Sequence, residues 1–255
     1  MLRVAFALAL VAAAAAAKES TPKSEALLDG AHWRLSTEHG AIHVWRPAHY
    51  DRRSAGVVIY LHGWYTDADG AWRDQKLAEQ FRDSGQNALF IVPEAPSGAG
   101  EAVQWPILDE LLTTVFRKLR LPAPPGPLVI AAHSGSYRVV VEWLKDPRVQ
   151  NVLLIDALYG NEDDFGAWLE DPAHRMTIVA KGTLKWTEPF VAARKYAVTV
   201  GELPSSWDEL GKKARAAKLL YIKTQVGHME LMTEARALPI LLRRSALRRL
   251  PSLYH

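Results

Sequence analysis

Pro127-Leu-Val-Ile-Ala-Ala-His-Ser134-Gly-Ser136 runs without a break into Tyr137-Arg-Val-Val-Val-Glu-Trp143. The apolar, β-branched run Pro127 to Ala132 has the composition of a buried strand, and Ser136 to Lys145 has the period of an amphipathic helix. A Ser between such a strand and such a helix sits on a turn so tight that only small side chains fit two positions before and after it. Those positions are held by Ala132 and Ser136. Gly135 leaves its backbone N–H at the helix N-terminus, where the helix dipole favours a developing negative charge. Read alone, the same string also describes a plain helix N-cap serine.

Outward from this junction the chain alternates. Short apolar strands are expected at Gly56 to Leu61, Ala88 to Val92, Val149 to Ile155, Met176 to Val179 and Lys218 to Lys223. Helical stretches separate them: Arg73 to Ser84, Ile107 to Leu119, Asp163 to Glu170, Glu188 to Tyr196, Trp207 to Ala217 and Met229 to Leu242. Ahead of them, Ala31 to Pro47 alternates as two strands around Glu38-His39-Gly40. The pattern predicts an α/β fold with a mostly parallel central sheet, helices on both faces and an antiparallel edge. Leu121 to Pro127, rich in proline, is short enough to be a helix-to-strand loop. No internal repeat or long linker is present, so 18–255 is read as one domain.

Ligands gather at the carboxyl edge of such a sheet, so residues just after each strand are the candidates for chemistry. Beyond Ser134 these include His62-Gly63-Trp64 after the strand ending at Leu61, and Thr224-Gln-Val-Gly-His228 after the strand ending at Lys223. A carboxylate is needed to orient a histidine base. Asp156 closes the strand next to that of Ser134 and is preferred; Glu188, in the later segment, is the alternative, and Asp163 and Asp164 have the look of an exposed helix start.

These residues together resemble the α/β-hydrolase superfamily, over roughly Gly56 to Leu242. The usual elbow is Gly-x-Ser-x-Gly, and Ala132-His133-Ser134-Gly135-Ser136 departs from it at both outer positions while keeping them small. The resemblance implies a serine hydrolase in which Ser134 attacks a carbonyl, His228 moves the proton and Asp156 orients His228. Gly135 and the Gly63-Trp64 turn would supply the oxyanion donors. It implies no metal or organic cofactor, and a small-molecule or acyl substrate. A carboxylic ester is favoured over an amide. A catalytically inactive binding protein on the same fold is the rival reading. His133 is read as packing. Trp64, Trp72, Trp105 and Trp186 are candidates for an aromatic wall, with Trp105 and Trp186 taken as pocket residues.

The N-terminus adds a compartment. One Arg precedes the uncharged run Val4 to Ala17, and Ala15 and Ala17 offer a cleavage site before Lys18. This is the pattern of a secretory signal peptide over residues 1–17, too short to span a bilayer, and implies a secreted or periplasmic mature chain. The 255 residues include no Cys, which excludes disulfides, thiolate metal sites and a cysteine nucleophile. With 31 basic and 28 acidic residues the net charge is only +3, against a nucleic-acid partner.

Overall fold

The computed structural model describes residues 21–234 and 236–251; the signal-peptide segment 1–17 lies outside the described residues. Ten strands form one sheet: β1 (Glu25–Leu27), β2 (Gly30–Thr37), β3 (Gly40–Arg46), β4 (Gly56–Leu61), β5 (Ala88–Pro93), β6 (Leu128–His133), β7 (Val149–Ile155), β8 (Arg175–Ala180), β9 (Val198–Val200) and β10 (Leu219–Lys223). Their spatial order is β1-β2-β3-β5-β4-β6-β7-β8-β10-β9. The first three strands and the β3–β5 pair are antiparallel, and every other pair is parallel.

The helices are α1 (Ala68–Asp74), α2 (Leu77–Ser84), α3 (Leu108–Leu119), α4 (Tyr137–Trp143), α5 (Glu162–Leu169), α6 (Leu184–Ala192), α7 (Lys212–Ala216), α8 (Glu230–Thr233) and α9 (Ala237–Leu242). They cover both faces, because side chains along a strand alternate between faces. Val57, Ile59 and Leu61 of β4, with Leu128, Ile130 and Ala132 of β6, pack into the core shared with α3, α4, α5 and α6. Val58 and Tyr60, with Val129 and Ala131, enter the second core beneath α2, α8 and α9. Strands buried on both faces explain why β4, β5 and β6 are continuous apolar runs rather than alternating ones.

Several expected helices are cut shorter. Arg73 to Ser84 is two helices, since Lys76 adopts a left-handed φ of 49° between them; α1 starts earlier, at Ala68, where Asp67 caps it by accepting from Gly70 N at 2.6 Å. Trp207 to Ala217 is a 3₁₀ turn at Trp207–Glu209 followed by α7, and Met229 to Leu242 divides into α8 and α9. Helix α6 starts at Leu184, so Glu188 lies within it rather than opening it. The three-residue edge strands β1 and β9 carry too little pattern to be read from sequence.

The antiparallel edge holds an unusual polar row. Glu25 Oε1 meets His32 Nδ1 at 2.6 Å, His32 Nε2 meets His43 Nδ1 at 2.9 Å, and His43 Nε2 meets Asp69 Oδ1 at 2.8 Å. Arg34 closes the row with two bonds of 2.6 Å to Asp69. The Trp72 indole stacks on both imidazoles, with ring centroids 4.7 Å away in each case.

Candidate active site

Strands β6 and β7 bring the first two groups together. Their register pairs His133 with Ile155, so Ser134 and Asp156 are the next residues on neighbouring strands. Both leave the sheet in the left-handed region, at φ 57° and 46°. For a serine this is an uncommon backbone state, of the kind held only where the surroundings enforce it. The enforcement is visible. Ser136 donates its hydroxyl to Leu61 O at 3.0 Å or to His133 O at 2.7 Å, tying the elbow to the end of β4. A serine therefore replaces the usual glycine with a cross-strand bond. Gly63 abuts the elbow from the other side: a Cβ there would stand 2.7 Å from Ser134 Cβ. At Gly135 a Cβ would collide with the Trp64 indole, standing 2.1 Å from its Nε1.

Asp156 is fully buried. Its Oδ1 accepts from the N–H groups of Lys181, Gly182 and Thr183 at 2.9 to 3.0 Å and from the Thr183 hydroxyl at 3.0 Å. Its Oδ2 accepts from Gly182 N at 3.0 Å and meets His228 Nδ1 at 2.7 Å. Burial pushes the carboxyl up, but the bonds from His228 and the β8–α6 backbone outweigh it and hold the pKa at about 2. A charged acceptor is thus kept beside His228. The β8–α6 turn, which carries no carboxylate of its own, is the cradle for one carried by β7.

His228 is itself positioned from behind. His133 Nε2 donates to the His228 carbonyl at 3.0 Å, and the two rings lie tilted by 30° with centroids 4.6 Å apart. Burial, then the neighbouring His228, holds His133 down to about 4, so it is neutral and suited to a fixed donor role. Its contact with His228 could not be read from the sequence, where it looked like packing. Beyond His228 stands Tyr159, edge-on at 6.4 Å, and beyond that Trp186, edge-on to Tyr159 at 5.1 Å. Burial and then the charge of Asp156 push the Tyr159 phenol up to about 12, while its bond with the Ser134 hydroxyl opposes them.

The β4 end shapes the opposite wall. His62 is completely buried; its Nδ1 donates to Gly63 O at 2.9 Å and its Nε2 accepts from Ala95 N at 3.0 Å. Because a trans peptide sets N–H and C=O on opposite sides, fixing the Gly63 carbonyl toward His62 turns the Trp64 N–H away from it. The Gly135 N–H belongs to the first turn after β6, where helical geometry offers it no partner.

The remaining candidates separate. Trp105, expected in the pocket, is 3% exposed and belongs to the core, its carbonyl accepting from Trp143 Nε1 at 2.8 Å and its ring set against His39 of the β2–β3 turn at 4.6 Å. Trp72 belongs to the histidine row. Glu188 is ion-paired with Lys223 at 2.6 Å on the exposed surface, while Asp156 occupies the place beside His228. Asp163 and Asp164 fall in the first turn of α5. Among the described residues no group of three or more His, Asp or Glu side chains is arranged to hold a metal ion, and no helix is long and apolar enough to cross a membrane.

No protein-family model and no curated protein matches the chain. Solved structures do. An S-formylglutathione hydrolase from Agrobacterium tumefaciens matches with a TM-score of 0.52 at 12% identity, over 85% of this chain and 98% of that one. A feruloyl esterase module from Clostridium thermocellum, solved with sinapinate, gives 0.56 at 10% identity over 88% and 90%. A ferulic acid esterase gives 0.55 at 13% identity over 88% and 99%. The sheet, its flanking helices and these likenesses define the chain as an α/β-hydrolase fold.

Proposed function

We propose that the protein is an exported serine hydrolase that cleaves a carboxylic ester through an acyl-enzyme. The observation that carries this reading is the 2.7 Å contact between His228 Nδ1 and a buried, charged Asp156, next to a serine held at φ 57° on the adjoining strand end. In this reading the Ser134 oxygen attacks the ester carbonyl while His228 Nε2 takes its proton. Asp156 fixes the His228 tautomer and stabilises the imidazolium. The N–H groups of Trp64 and Gly135 receive the oxyanion, His62 holding the first in direction. His228 returns the proton to the departing alcohol, and water then repeats the sequence to release the acid. The esterase names of the structural neighbours support an ester over an amide.

A fluorophosphonate probe on the purified protein tests this: a covalent adduct mapped to Ser134, absent in Ser134→Ala of equal folded fraction, is expected. An unlabelled wild type that leaves p-nitrophenyl esters intact would instead favour a binding protein on this fold. Export is proposed from residues 1–17, and intact mass of the host-exported chain should begin near Lys18.

A further inference from the structure

His62 fixes the direction of the Trp64 N–H through the Gly63 carbonyl, and the contacts behind His62 lead to a carboxylate. Glu94, the residue after β5, sets its Oε1 3.1 Å from His62 Nε2 and accepts the Ala68 N–H on Oε2 at 3.3 Å. Its backbone is pinned as well. Glu94 N donates to Ala41 O at 2.9 Å, and Gly40, at φ 98°, lies so close that a Cβ on it would stand 2.6 Å from Glu94 Cβ and Cγ. One residue thereby joins the ends of β4 and β5 to the starts of β3 and α1.

The two ring nitrogens of His62 face different demands. The Gly63 carbonyl only accepts, so Nδ1 carries a proton. At Nε2 two partners converge: the Ala95 N–H at 3.0 Å suits a bare nitrogen, and the Glu94 carboxylate suits a protonated one. A partner is therefore in reach in either state, and the ring keeps its plane. The bond from Nδ1 to Gly63 O then holds whatever the state of Nε2. His62 is fully buried, so no solvent stands in for a lost partner. The bond from Ala68 N to Glu94 is not what starts α1, because Asp67 caps that helix through Gly70 N at 2.6 Å.

We infer, resting on the reading of Ser134 as the nucleophile, that Glu94 is a positioning residue of the oxyanion hole, acting through His62 on the Gly63–Trp64 peptide. The Trp64 N–H is called on only when charge develops on the carbonyl oxygen, so a loosened peptide lowers kcat and spares KM. Removal of a whole donor costs on the order of 10²- to 10³-fold. A donor that is present but loosely aimed should cost less, about tenfold.

Glu94→Ala and Glu94→Gln in the full chain test this. The glutamine keeps the shape, with an N–H for Nε2 and an oxygen for Ala68 N; the alanine keeps neither, and Glu94→Met, of similar length, takes its place if it does not fold. For p-nitrophenyl esters the alanine variant should lose about tenfold in kcat with KM within about twofold, and the glutamine should recover most of the loss. Phenylboronic acid, whose tetrahedral adduct on Ser134 sets an oxygen among the same donors, should bind the alanine variant weaker by the same factor. The ring N–H of His62, followed by nitrogen-15 NMR without substrate, should exchange with water slowly in wild type and glutamine and about tenfold faster in alanine. Undiminished kcat in the alanine variant, a glutamine no better than alanine, unchanged boronate affinity beside a fallen kcat, or an unchanged His62 exchange rate would each overturn the proposal. A wild type that cleaves no ester while the exchange pattern holds would sink the hydrolase reading and uphold the clamp on this peptide.

Discussion

Two histidine–carboxylate assemblies stand in different parts of this sheet, and their first contacts are nearly identical. Asp156 meets His228 at 2.7 Å at the carboxyl edge, and Asp69 meets His43 at 2.8 Å at the antiparallel edge. The difference lies on the far side of each ring. His43 gives its second nitrogen to His32, whose own second nitrogen meets Glu25, and Trp72 roofs both. His228 engages one nitrogen only, and its side chain is 32% exposed against 5% for His43. A histidine–carboxylate pair becomes a proton carrier when one ring nitrogen is left unspent and reachable; with both spent it is a brace.

His43 shows the brace most clearly. Burial lowers its pKa to about 4, so the ring is neutral, and its two nitrogens are spent on His32 and Asp69.

The largest expected effect separates the two assemblies by rate. Asp156→Asn should lower kcat for p-nitrophenyl ester hydrolysis about 10³- to 10⁴-fold with little change in KM, because the amide favours the wrong His228 tautomer. Asp69→Asn should leave kcat within about twofold. If steady-state kinetics rank them the other way, the roles assigned to the two regions are exchanged.

A smaller effect separates them by pH. The folded state keeps His43 at about 4, below the unfolded value of about 6.5, so stability falls as pH drops through that window, by on the order of 3 kcal/mol. Asp156 has its folded pKa depressed to about 2, so its contribution, about 2 kcal/mol, is full above pH 4 and lost only as pH falls toward 2. Urea unfolding at stepped pH should show both losses; His133, also held at about 4, adds to the upper one, so His43→Phe should remove about half of it and leave the lower one unchanged. An upper loss undiminished in that variant would remove His43 from its origin.

The smallest effect is a null. Glu188→Gln should leave turnover unchanged, since Glu188 pairs with Lys223 on the exposed surface. A tenfold loss in kcat would mean that the acid of the site had been misassigned.

The sequence exposes one of these regions far better than the other. Local rules reach the carboxyl edge: Gly56 to Leu61 and Val149 to Ile155 have the same ends in the structure as in the sequence reading, and the polar residue after each strand falls at one rim. The row escapes such rules. It forms only because the β2–β3 register pairs His32 with Trp45 and Arg34 with His43, while α1 arrives from beyond β4 to supply Asp69 and Trp72. The same limit explains Trp105, whose place beside a loop suggested a pocket but whose ring is set against His39 of the β2–β3 turn, and His133, whose partner lies at the far end of the chain.

The indole of Trp64 resting on Gly135 also bears on ancestry. The compulsory glycine of this elbow stands one residue after the serine, and what makes it compulsory is a side chain from a different strand's loop. Its constraint is therefore shared between two distant positions and absent from the local spacing. In a diverging lineage, a smaller residue at 64 would release position 135, whereas a retained indole would forbid every side chain there. The two positions should drift as a pair, and a signature written for the elbow alone would miss this lineage while a two-site signature would follow it.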